Sequence, residues 1–218
     1  MFKLIKVICG LLVLLVLADS VSAEQTSNTA PATLAQKLAA AAVERTSHPV
    51  RYDPAYVGIK YPMGDVPADT GVCSDVIIRS YRNLGIDLQV LVHNDMRRAF
   101  GKYPKRWGHK RTDKNIDHRR VPNLRVFFSR HGKKLKISNI AADYKPGDLV
   151  TWDLTGTKNS SLIHTKLPHI GIVTSRSTPD GARPLIAHNI GEGPKLNDIL
   201  FEYKITGHYR YQPKSRAR

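Results

Sequence analysis

The chain has 218 residues, 41% of them hydrophobic, which suits one compact domain with a real core and excludes a repeat architecture, because no internal repeat is visible. Its 34 Lys and Arg against 18 Asp and Glu set a formal net charge of +16. That balance fits polyanionic surroundings such as nucleic acid, an acidic cell-wall polymer or a membrane surface, with solubility alone as the plain alternative.

Residues 1–23, MFKLIKVICGLLVLLVLADSVSA, have the pattern of a secretory signal. Lys3 and Lys6 make a cationic start, Val7 to Leu17 is an apolar core, and Val21-Ser22-Ala23 has the small-x-small form of a cleavage site. The apolar run is too short and too early for a membrane span, so a periplasmic or secreted protein with no stable span after cleavage is expected, an uncleaved anchor being the alternative. Removing 23 residues from 218 leaves 195, and with Lys3, Lys6 and Asp19 gone the charge falls from +16 to +15. Cys9 also leaves, so Cys73 remains as the only one of two cysteines. A lone thiol in an exported protein cannot close an internal disulfide: it is buried and inert, paired with another chain, or kept for chemistry.

Residues 24–50 comprise a polar leader and a first helix, Leu34 to Arg45, alanine-rich with Pro31 just upstream. Arg51 to Gly71 is a loop dense in Tyr, Pro and Gly. The spacing of Val76, Ile77, Tyr81 and Leu84 predicts a helix from Cys73 to Leu84, ended by Gly85. A third helix is capped by Asp87, turns Leu88, Leu91, Val92 and Phe100 toward the core, and stops at Gly101. After a basic loop, Lys102 to Arg111, Pro122 opens a fourth helix that ends at Gly132. The pattern then changes to strands at Lys134 to Ile137, Asp148 to Leu154, His169 to Ser175, Pro184 to Asn189 and Phe201 to Tyr211, separated by turns at Lys145-Pro146-Gly147 and Pro179-Asp180-Gly181. Residues 51–211 form the expected domain, and 212–218 a basic tail expected to be disordered.

Helices carrying the cysteine followed by an antiparallel meander carrying histidines make an α+β chain, the order that a papain-like cysteine hydrolase requires. A thiol at a helix start meets unpaired amides and the positive end of the helix dipole, which favour thiolate. An imidazole from a strand opposite can hold the proton, and a third polar residue on the neighbouring strand can orient it.

Lys145-Pro146-Gly147-Asp148-Leu149-Val150 followed by His169-Ile170-Gly171-Ile172-Val173 resembles the paired strands of NlpC-type cell-wall cysteine peptidases, and Cys73-Ser74 matches their upstream cysteine at a helix start. The resemblance implies a papain-like core with Cys73 as nucleophile, His169 as base and a polar third member on the next strand. His188 is that member by resemblance, with Asn189 as its rival. Gly71-Val72-Cys73-Ser74-Asp75, Asn115 to Asn123 and Ile205 to Tyr211 are similar to a secreted bacterial family known as domain of unknown function 1287, over roughly Arg51 to Tyr211. The chain departs from many NlpC-type enzymes at Val72 and Asp75, where those have aspartate and glycine. The resemblance therefore implies cleavage of an amide bond, most naturally in peptidoglycan, without carrying across which bond. It implies no cofactor and no metal.

His118, Arg119 and Arg120, with Asp75, are candidate substrate-binding residues, because arginine forks match carboxylates in two-point contacts; a solvated basic face is the alternative. Asp117-His118 followed by Pro122 is similar to the metal-binding strand of some His-Asn-His nucleases, but no partner follows at suitable spacing, and no specific nucleic acid is expected. His164 and His169 could suggest zinc, yet no cysteine pair or glutamate motif supports it. The expected partner is peptidoglycan or another anionic wall polymer. A binding module on the same fold, holding the wall without cleaving it, is the competing reading.

Overall fold

Thr33 opens the first helix, α1 (Leu34–Arg45), with a capping box in which its side chain accepts from the Gln36 amide and the Gln36 side chain accepts from the Thr33 amide. The structure is a computed structural model that describes residues 30–155 and 167–213. Residues 1–23 with Cys9, read above as a secretory signal, His164, and the basic tail Lys214 to Arg218 lie outside the described residues.

After α1 come two short parallel strands, β1 (Arg51–Tyr52) and β2 (Thr70–Gly71), and then α2 (Cys73–Asn83) and α3 (Leu88–Ala99). Helix α2 forms because Val76, Ile77, Ile78 and Tyr81 can all be buried at once, each worth about 1.5–3 kcal/mol. It stops at Gly85, whose φ of 74° is left-handed. Asp87 caps α3 by accepting from the amides of Gln89 and Val90. A 3-10 turn, Asp117–Arg119, precedes α4 (Val121–His131), with Pro122 in its first turn.

The strands are β3 (Lys133–Lys134), β4 (Leu149–Asp153), β5 (Pro168–Ser177), β6 (Pro184–Asn189), β7 (Pro194–Asn197) and β8 (Lys204–Arg210). They form an antiparallel sheet in the order β3-β8-β4-β5-β6-β7. The chain is thus α+β. Two differences from the predicted elements matter. β3 is shorter than Lys134 to Ile137 suggested, and β7 occupies residues that look like a loop in sequence. Four residues bracketed by Gly193 and an exposed turn carry too little periodicity to announce a strand; the β6 ladder makes it one.

The sheet separates two cores. On one face, Leu149, Ile170, Ile172, Ala187 and Tyr209 pack against Leu38, Ile77, Tyr81, Leu124 and Phe128 of the helices. On the other, Val150, Trp152, Val173 and Ile186 pack against Tyr144, Ile199 and Leu200. The Lys145-Pro146-Gly147 turn lies directly on α1: a Cβ on Gly147, whose φ is 87°, would meet the Ala35 carbonyl oxygen at 2.5 Å. Asp148, fully buried, then accepts from the Lys145 amide, His208 Nε2 at 2.9 Å and Arg210 Nε and Nη2 at 2.6 and 2.9 Å, tying β4 to β8.

Candidate active site

Cys73 begins α2 and is buried, with 5% of its surface exposed. Val72, the residue before it, has no side-chain oxygen to cap the helix, so the first amides of α2 remain directed at their surroundings. The amides of Cys73 and Ser74 reach the sulfur, and so does the amide of Ile170 in β5, the residue that follows His169. All three favour thiolate. Burial outweighs them, with the Asp75 carboxylate adding in the same direction, and the thiol is pushed up to about 12. The helix start does favour thiolate, as expected, but burial of the group outweighs it.

His169, 3% exposed, is held down to about 3 by burial first and by neighbouring His188 second. Its Nε2 lies 3.0 Å from His188 Nδ1 on β6, and His188 Nε2 lies 3.0 Å from Asn197 Oδ1 on β7. Register explains the chain of contacts. Ile186 stands opposite Asn197 and His188 opposite Lys195, so His188 and Asn197 are diagonal neighbours on one face. Gly171 makes room between the two histidines: a Cβ there would meet Ile186 Cγ2 at 2.5 Å and His188 Cβ at 3.3 Å. His188 is itself lowered by burial, partly offset by its bond to Asn197. Both imidazoles are thus neutral near pH 7. His188 and Asn197 also line a cavity of about 320 Å³ with Lys195, Ile199, Glu202 and Tyr203.

The family model for a domain of unknown function (DUF1287) matches residues 39–211. The chain belongs to the DUF1287 family. It is 51% identical over 160 residues to the uncharacterized protein YijF of Escherichia coli (strain K12), covering 73% of each chain. No solved structure matches.

In this DUF1287 chain the residues singled out from sequence divide into two groups. His169 and His188 are bonded to each other on the sheet face that carries Trp152, Val173 and Ile186, whereas Cys73 packs in the helix-side core with Ile170 and Ile172, its thiol against the Ile170 amide. Asn189 does not face His169: its Nδ2 donates to the Gly71 carbonyl at 3.5 Å and its Oδ1 accepts from the Gly191 amide. Asp75 and Arg119, expected to meet substrate, meet each other instead. Arg119 Nε and Nη2 reach the two Asp75 oxygens at 2.9 and 2.8 Å, both residues are buried, and Asp75 also accepts from the Val72 amide at 2.7 Å. Ser74 Oγ donates to the Arg119 carbonyl at 2.7 Å, so the first turn of α2 is clamped to the 3-10 turn 44 residues on. His118 is buried in that turn and held down to about 3, by burial and then by the charges of Arg119 and Arg82. Arg120 lies over the Trp107 ring at 4.0 Å and pairs with Asp117.

Asn197 is the functional candidate that sequence reasoning missed, since no strand was expected there. Tyr52 is a second. It lies near enough to Cys73 and Asp75 for their charges to add to the burial that raises its phenol to about 12. Among the described residues no group of three or more His, Cys, Asp and Glu is arranged to hold a metal ion.

Proposed function

We propose that this protein is a cysteine hydrolase that cleaves an amide bond, with peptidoglycan stem peptides as its substrate class. The observation that supports this reading is a buried thiol at a helix start that meets the amide of Ile170, the residue after His169, with His169 bonded in turn to His188. Cys73 Sγ attacks the carbonyl carbon as its proton passes to His169. The amide of Cys73 and a nearby donor would stabilise the oxyanion. His169 returns the proton to the leaving amine, giving a thioester. Water, deprotonated by His169, then cleaves the thioester to a carboxylic acid and restores the thiol. Because the resting pair is neutral, proton transfer accompanies attack instead of preceding it. The steps call for no cofactor.

The cationic start and apolar core of the first 23 residues support export, so we place the activity in the periplasm or outside the cell, where the charge of +15 suits an anionic wall. Among the described residues no helix is long and apolar enough to cross a membrane.

The test is mass spectrometry of muropeptides incubated with wild type and with Cys73→Ala. New products from wild type that vanish in a folded Cys73→Ala protein are expected; products from both would exclude the cysteine mechanism. One observation favours a second reading, a wall-binding module without turnover: thiol and imidazole are both almost closed to solvent. That reading requires binding to isolated sacculi that weakens with salt, equal in wild type and Cys73→Ala, with no product from either.

A further inference from the structure

We propose that Asn197 is a positioning residue that sets the tautomer of His169 through His188, leaving Nδ1 of His169 unprotonated. This rests on the hydrolase reading only for its catalytic consequence. The argument is one of hydrogen-bond inventory. An amide oxygen can only accept, so the 3.0 Å contact between Asn197 Oδ1 and His188 Nε2 requires a proton on that nitrogen. A neutral imidazole carries one N–H, so Nδ1 of His188 is left as an acceptor. The 3.0 Å contact to His169 Nε2 must then be donated by His169. Nδ1 of His169 is consequently the nitrogen with the lone pair, the one that under the hydrolase reading would accept a proton.

Neutrality of both rings is what makes the chain of constraints hold, and burial supplies it. Asparagine suits the position better than aspartate for the same reason. A carboxylate would also accept from Nε2, but it would draw His188 toward its cationic form, and a cation donates from both nitrogens. His188 would then offer a proton to His169 Nε2 and drive the remaining proton to Nδ1, the nitrogen left bare in the wild type. The titratable groups that line the cavity with His188 are partnered: Glu192 pairs with Lys195, Asp198 with Arg183, and Glu202 is hydrogen-bonded to Tyr203.

The experiment is nitrogen NMR of the full chain labelled at histidine rings, with peaks assigned by single His→Gln variants. At pH 8 the wild type should show His169 protonated at Nε2 and bare at Nδ1, and His188 the same. Asn197→Leu should leave His169 a mixture of tautomers while α2 and the sheet keep their backbone shifts. Asn197→Asp should retain the wild-type tautomers at pH 8 and lose them on acidification at a higher pH than wild type, as His188 becomes charged. Where hydrolysis is measured, Asn197→Leu should lower kcat roughly 10²-fold at unchanged KM, part of the ~10⁴-fold that a wrong tautomer costs a Ser-His-Asp triad. Wild-type His169 protonated at Nδ1 would overturn the proposal, as would unchanged ring signals in a folded Asn197→Leu. If that variant does not fold, the wild-type and Asn197→Asp spectra still decide. Failure to hydrolyse muropeptides would sink the proposed function and leave the tautomer result standing.

Discussion

Alkylation of Cys73 offers the sharpest check on how the site rests before substrate arrives. The perturbation is iodoacetamide applied to the chain from Glu24 onward, in which Cys73 is the sole cysteine. With the thiol pushed up to about 12, roughly one molecule in 10⁵ carries thiolate at pH 7, against a few per cent for a free cysteine near 8.5. That difference is about 3,000-fold. A more basic sulfur is intrinsically more nucleophilic, and a Brønsted slope of about 0.4–0.5 returns roughly 25- to 55-fold. The net expectation is reaction about 10²-fold slower than free cysteine at pH 7, before the steric effect of a residue only 5% exposed. The rate should climb tenfold per pH unit through pH 10, and urea should restore the free-cysteine rate. Intact-protein mass spectrometry at timed intervals reads all of this. A rate at pH 7 equal to free cysteine, or a plateau below pH 8, would mean a preformed thiolate–imidazolium pair and would refute the argument that desolvation outweighs the helix start.

Three further outcomes follow from the same geometry. His188→Ala should reduce turnover by a few orders of magnitude, while Asn189→Ala should cost mainly about 1 kcal/mol of stability through its bonds to Gly71 and Gly191; side-by-side kinetics with the reverse order would make Asn189 the orienting residue. Acid should destabilise the fold well above the carboxylate range. His118 and His169, both held down to about 3 when folded and near 6.5 when unfolded, bind more protons in the unfolded chain between those values. Their stabilisation is complete above about pH 6.5 and is lost as pH falls, by about 2 kcal/mol each at pH 5. Asp117, raised by burial, offsets part of this, and equal urea midpoints at pH 8 and pH 5 would contradict the sum. Finally, Arg119→Ala should cost about 3–5 kcal/mol because it strands the buried Asp75 carboxylate, and Asp75→Asn in the same chain should recover part of that loss in thermal melts.

Local signals were enough to read the frame. The apolar spacing of α2, its stop at Gly85, the Asp87 cap and the Pro-Gly-Asp turn are each encoded within a dozen residues, so each is legible without knowing what packs nearby. The same holds for placing Cys73 at a helix start and His169 and His188 on successive strands. What the sequence could not decide was everything that depends on partners distant in the chain. Asp75 and Arg119 are both candidate substrate-binding residues by sequence, yet they pair with each other across 44 residues. His188 and Asn189 alternate along one strand, and only the β5–β6 register and the gap at Gly171 bring His188 to His169. Asn197 acquired its place when β7 paired with β6. The ionisation of the thiol turned on the same distinction. The helix start is a local feature and favours the anion, whereas desolvation is set by the whole fold around it and prevails.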